Sequence, residues 1–197
     1  MKEEHKIGYT ILKNILKIPY LLWYNPKIIG KENIPKSGKV ILAGNHTYSL
    51  DCGILISSTN RCVHFLGKHT LFKGFKKYFF RNMAVIPVNR NIKDSNCMKE
   101  ARKVLENDQV IGIFPEGTIN RKKETIILPF KMGALKLALD TDSYIVPFSI
   151  KGKYEPFKKG PTIMFGTPYQ LEGNDLDLEK AKLEEIVIEL INQNKGE

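Results

Sequence analysis

Val40-Ile41-Leu42-Ala43-Gly44-Asn45-His46-Thr47-Tyr48-Ser49-Leu50-Asp51 is the stretch on which the reading of this chain turns. It opens as a continuous apolar run, which reads as a strand buried on both faces in a largely parallel sheet. The run stops on Gly44-Asn45-His46 and restarts with Ser49-Leu50-Asp51, a helix-start signal. His46 therefore stands where a buried strand ends, and Asp51 in or near the first turn of the next helix. In open α/β sheets, ligands bind at such strand ends. A turn here can fold the Asp51 carboxylate back against the imidazole, holding one ring N–H and leaving the other nitrogen as a general base. Such a pair needs no serine or cysteine nucleophile, because an incoming substrate hydroxyl can attack. Alone, the spacing fits equally well a strand-end histidine beside a helix-start aspartate with a purely structural task.

Outward from this stretch, apolar runs and helical periodicities alternate. Residues 62–66, 83–88, 110–114, 144–150 and 162–165 read as strands, and residues 25–38 as a short edge strand with a turn-rich connection. Residues 52–58, 95–107, 131–140 and 178–192 read as helices. This order predicts one α/β domain with a mostly parallel central sheet flanked by helices. It follows an N-terminal amphipathic segment over residues 1–27, so the sheet-bearing domain is expected over 28–197. A chain of 197 residues with 42% hydrophobic content suffices for one substantial core. Cys52, Cys62 and Cys97 are odd in number and form no CxxC spacing, which suits thiols in a reducing compartment rather than a disulfide frame or zinc site. The charged start is not followed by a clean apolar core and a small-residue cleavage site, so no secretory leader is expected.

Charge is unevenly spread. Residues 1–100 carry 17 Lys and Arg against 6 Asp and Glu, whereas residues 101–197 carry 14 against 15. The basic first half suits phosphate groups, nucleic acid or an anionic membrane leaflet. Residues 7–25 sharpen this. Ile11, Leu12, Ile15, Leu16 and Ile18 recur at helical spacing with Lys13 and Lys17 between them, and Pro19 is expected to kink or restart the helix before Tyr20-Leu21-Leu22-Trp23-Tyr24. The run is too short and interrupted to span a bilayer. It fits a helix lying in the membrane interface, or else one packed on the protein's own core. Residues 71–80, where aromatics alternate with Lys73, Lys76 and Lys77, carry the same two readings.

Three of the strands end in polar residues: Asn45-His46, Asn89-Arg90 and Pro115-Glu116-Gly117-Thr118. If the strands are parallel, these ends line one edge of the sheet. A base, a guanidinium fork able to grip phosphate and a Gly-Thr turn would then surround one crevice. Gly117 lets backbone N–H groups approach a ligand and Thr118 adds a hydroxyl, with Arg121 beyond and Lys68 at the end of another strand. Glu116, an anion, is expected to brace Arg90 or Arg121.

These residues carry a resemblance. Asn45-His46-Thr47-Tyr48-Ser49-Leu50-Asp51 resembles the NHxxxxD signature of the glycerolipid acyltransferases, and Phe114-Pro115-Glu116-Gly117-Thr118 is similar to their FPEGT block. Val85-Ile86-Pro87-Val88-Asn89-Arg90 and Ile145-Val146-Pro147 stand where that family has its arginine-ending strand and its late V-P block, in the same order. Within the family, the lysophosphatidic acid acyltransferases of bacterial type are the most similar group. The resemblance implies transfer of a fatty acyl group from a thioester of coenzyme A or acyl carrier protein to the free hydroxyl of lysophosphatidic acid, giving phosphatidic acid. It implies His46 as base and Asp51 as its partner. Asn45, Lys68, Arg90, Glu116, Gly117, Thr118 and Arg121 would lie around the substrate. It implies no metal and no bound cofactor, the thioester being a co-substrate, and a site of work on the cytoplasmic face of the cell membrane. Ile119 stands where the family commonly has arginine, and Thr70 where it has glutamate. The acceptor therefore stays open to another lysophospholipid or lipid alcohol. A thioester hydrolase using His46 to activate water and a non-catalytic anionic-lipid-binding module are the rival readings. The ordered motifs give nucleic acid no role as partner.

Overall fold

Strand β2 (Val40–Gly44) lies at the centre of a seven-stranded sheet, its five residues buried. The structure, a computed structural model, describes residues 3–89, 95–122 and 124–194. Around β2 the order is β1 (Lys27–Ile29), β7 (Thr162–Phe165), β6 (Tyr144–Lys151), β2, β5 (Val110–Ile113), β3 (Val63–Lys68) and β4 (Val85–Val88). Strands β6, β2, β5, β3 and β4 are parallel neighbours, with Leu42 opposite Val146 on one side and Gly112 on the other. β7 runs antiparallel to β6 and parallel to β1, closing that end of the sheet. The expected single α/β domain with a mostly parallel sheet is what the chain forms. Its consequence is that the C-terminal ends of β6, β2, β5 and β3 share one edge.

Two-residue periodicity sorts each central strand between two layers. Ile41, Ala43, Ile111, Ile113 and Ile145 pack with α4 (Ser95–Glu106), α5 (Gly133–Thr141) and α6 (Leu176–Gln193) through Ala101, Leu105, Leu135 and Val187. Val40, Leu42, Val110, Val146 and Phe148 face the other way, onto Ile54 and Leu55 of α2 (Asp51–Ser58). Each such wholly buried side chain contributes roughly 1.5–3 kcal/mol, which explains why the central strands read as uninterrupted apolar runs. α6 begins two residues before the expected 178, because the Asp175 carboxylate accepts from the N–H groups of Asp177 and Leu178 and caps it.

α1 (Glu3–Tyr24) and α3 (Lys76–Asn82) lie on the α2 side. α1 runs unbroken through Pro19 instead of restarting there. The carbonyl that Pro19 cannot pair belongs to Ile15, an exposed residue, so no acceptor is trapped in the core. The inward face of α1 is Tyr9, Lys13 and Tyr20. The Tyr9 hydroxyl accepts from Val63 N, and Lys13 Nζ donates to Thr59 O at 2.6 Å, where α2 ends and its carbonyls lack partners. Gly53 provides the room for Tyr20: a Cβ there would lie 2.5 Å from its ring. The outward face carries Ile11, Ile15, Ile18 and Leu22, all more than half exposed. This helix therefore turns a lysine inward and its isoleucines outward.

Candidate active site

The segment after β2 folds back on itself through the Asp51 carboxylate. Asp51 Oδ2 accepts from Thr47 N at 2.7 Å and Tyr48 N at 2.9 Å, while Asp51 N donates to Tyr48 O. The same oxygen lies 2.9 Å from His46 Nδ1. Asp51 is wholly buried, and a buried carboxylate must be satisfied in this way. An ionised carboxylate only accepts, so Nδ1 carries the proton and Nε2 keeps a free lone pair. The second oxygen, Oδ1, accepts from the Tyr154 hydroxyl at 2.7 Å, with Thr47 Oγ1 farther off at 3.3 Å.

β5 supplies the opposite wall. The His46 ring stacks on Phe114 at 3.9 Å between centroids and 14° between planes, which fixes the imidazole plane. Phe114, Pro115, Glu116 and Gly117 form a turn closed by Gly117 N donating to Phe114 O, with Gly117 at φ +71°. Glu116 is buried inside this turn, and its two oxygens accept from His46 N at 2.6 Å and Leu128 N at 2.7 Å. Burial pushes its carboxyl upward, and the two N–H donors oppose that. Asn120 N donates to His46 O, so both backbone polar groups of His46 are held by the segment after β5.

Two concavities meet at His46. The larger, about 880 Å³, is predominantly apolar and runs between the sheet edge, α1 and α3, past Leu16, Tyr20, Phe65, Phe80 and Val88. The smaller, about 510 Å³, is lined by Thr118, Ile119, Arg121, Lys122 and Leu128 as well as His46. Cys52 is on the wall of the larger one, but burial and then the adjacent Asp51 push its thiol up to about 12, so it stays protonated and is no nucleophile. Among the described residues no three His, Cys, Asp or Glu side chains converge as metal ligands.

The residues singled out in the sequence divide as follows. His46 stands where the two concavities meet, with the buried Asp51 behind it; Gly117 lines the larger one, and Thr118 and Arg121 the smaller. Lys68 is an exposed side chain on the larger one, whereas Arg121 lines the smaller. Asn45 is buried: its Nδ2 donates to Ile150 O and its Oδ1 accepts from Ile150 N, fastening β2 to β6 rather than facing the concavities. Glu116 holds backbone N–H groups, not an arginine. Arg90 and Lys123 lie outside the described residues.

Three residues have roles that the sequence reading did not assign. Phe114 is the stacking platform and Tyr154 the donor to Asp51. Lys131 folds over Gly117, where a Cβ would lie 2.7 Å from its Nζ. The one sequence signal for Lys131 is its position two residues ahead of α5, where the helix dipole disfavours a cation.

Known proteins match this sequence and this fold. The family model described as Acyltransferase matches residues 25–151. A 1-acyl-sn-glycerol-3-phosphate acyltransferase of Borreliella burgdorferi is 37% identical over 151 residues, 74% of this chain and 59% of that one. Its namesake in Bacillus subtilis is 29% identical over 170 residues, 81% of each. The crystal structure of the 1-acyl-sn-glycerophosphate (LPA) acyltransferase of Thermotoga maritima superposes with a TM-score of 0.77 over the whole chain and 85% of that structure, at 21% identity, a likeness of fold. The chain thus spans somewhat over half the length of the Borreliella relative and four-fifths of the Bacillus one. With a family model covering most of the chain and the His46–Asp51 pair within it, this protein belongs to the acyltransferase family.

Proposed function

We propose that the protein transfers a fatty acyl group from a thioester to the free hydroxyl of lysophosphatidic acid, giving phosphatidic acid. The observation that carries this is the meeting of an apolar cavity and a basic recess at one imidazole. An acyl chain suits the first, and a phosphate suits Arg121, Lys122 and Thr118 in the second. His46 Nε2 takes the proton of the acceptor hydroxyl as its oxygen bonds to the thioester carbonyl carbon. The C–S bond then breaks, and the departing thiolate recovers that proton from His46. Asp51 holds the ring and offsets its positive charge meanwhile. Glu116 keeps the His46 backbone in place, and Gly117, Lys131 and Lys68 line the larger concavity. The names of the Borreliella and Bacillus relatives support the acceptor. Acyl carrier protein and coenzyme A both fit as carriers of the thioester.

The same reading puts the protein on the cytoplasmic face of the membrane. No helix among the described residues is long and apolar enough to cross a bilayer. What supports surface docking is the outward stripe Ile11, Ile15, Ile18 and Leu22 with Trp23, beside Phe75, Tyr78 and Phe79 at the start of α3 and within it. Lysines 73, 76 and 77 flank those aromatics and match anionic lipid.

The test is thioester consumption with and without lysophosphatidic acid, in wild type and His46→Ala. Expected is acceptor-dependent phosphatidic acid, reduced in the variant by on the order of 10³-fold or more. Consumption independent of acceptor would replace the transferase with a thioester hydrolase.

A further inference from the structure

We propose that Tyr154 is a positioning residue of the His46–Asp51 pair: its phenol pins the Asp51 oxygen that the imidazole does not use. The inference rests on reading His46 as the base. The other donors to Asp51, His46, Thr47 and Tyr48, belong to the segment that leads into α2. Tyr154 comes from the connection between β6 and β7, 103 residues along the chain, and makes the one short bond to Oδ1.

That bond decides the plane of the carboxylate. Rotation about the last side-chain torsion of an aspartate is soft. Held through Oδ2 alone, the group can pivot about the oxygen that meets His46. Thr47 Oγ1 does not prevent this, being 3.3 Å from Oδ1 and 3.4 Å from Oδ2. A 2.7 Å bond to Oδ1 does. Burial and the nearby Asp51 charge push the Tyr154 phenol far above its ordinary value, so it stays protonated and can only donate to the carboxylate.

Tyr154 is itself held in place. Tyr24 and Tyr48 meet its ring edge-on at 5.7 and 5.4 Å, and the Tyr20 ring lies tilted at 6.4 Å with its hydroxyl donating to Leu50 O. Two of these three tyrosines belong to α1. The seat of α1 is therefore continuous, through Tyr154, with the carboxylate that orients the base.

Tyr154→Phe keeps the ring and removes the donor. Expected is a fall in kcat of about tenfold with both KM values unchanged, because loss of orientation costs the transition state, together with a lower unfolding midpoint, because a buried carboxylate oxygen loses its short donor. Glu155→Gln, which breaks the Glu155–Lys158 pair of the same loop, is the control and leaves kcat intact. A second readout does not depend on turnover: the low-field proton resonance of His46 Nδ1–H moves in Tyr154→Phe. It moves in the opposite direction with 3-fluorotyrosine at 154, a stronger donor of the same shape. An unmoved resonance in both, or a loss confined to KM or to the unfolding midpoint, overturns the proposal. If His46→Ala keeps acceptor-dependent transfer, the reading of His46 has failed instead; if His46→Ala is inactive and Tyr154→Phe is not impaired, only this inference has.

Discussion

Glu116 shows how a single side chain acts at this site without reaching the substrate. Both its oxygens accept from backbone N–H groups, those of His46 and Leu128, and it is almost fully buried. Glutamine in its place offers one acceptor and one donor, so one buried N–H must lose its partner. Glu116→Gln should cost about 1–3 kcal/mol of stability, read as a lower midpoint in urea unfolding. Because His46 N is one of the two groups held, kcat should fall as well, by roughly tenfold. Unchanged stability would mean that the turn, not the carboxylate, holds the strand end. The same residue marks where the sequence stops being informative. His46 and Asp51 were legible because one short segment carries both. The partners of Glu116 are main-chain amides 70 and 12 residues away, which no letter of the sequence encodes. Asn45 looked like a substrate contact for the same reason: its bonds to Ile150 arise from the β2–β6 pairing.

At the scale of elements, the strands could be read because burial on both faces forces uninterrupted apolar runs, and the parallel edge followed from their alternation with helices. α1 was the ambiguous element, since an apolar stripe at helical spacing does not say which way it faces. The structure answers with Tyr9 and Lys13 inward and Ile15 and Ile18 outward. The two faces can be separated by mutation. Tyr9→Ala empties a buried site and should cost about 3 kcal/mol or more in thermal or urea unfolding. Ile15→Glu with Ile18→Glu touches exposed positions and should change stability by no more than about 0.5 kcal/mol per site. If the outward stripe is the membrane footing, that same double variant loses flotation with anionic vesicles while staying folded. Undiminished flotation would assign the footing to the α3 aromatics or to none of this surface.

For the molecule as a whole, acid stability should report a histidine far from the chemistry. His64 sits on β3, buried, with Nε2 3.6 Å from Cys62 Sγ. Burial holds its imidazole down at about 4, against an ordinary value of 6.5. Between those values the unfolded chain binds a proton that the folded chain refuses, so stability rises with pH across this window. It is fully present above about pH 6.5 and is lost progressively as pH falls toward about 4, by an amount on the order of 3 kcal/mol. The net charge of +10 adds self-repulsion that grows in acid, so the slope of the wild type alone does not isolate the histidine. The comparison does: His64→Gln removes the titrating group while leaving the other charges in place. Urea unfolding at intervals from pH 4 to 7 should show a steep loss in wild type and a shallower one in the variant, the two curves converging at the acid end. Parallel curves would mean that His64 takes up its proton without unfolding the chain, and that the acid sensitivity belongs to the charge of the whole molecule.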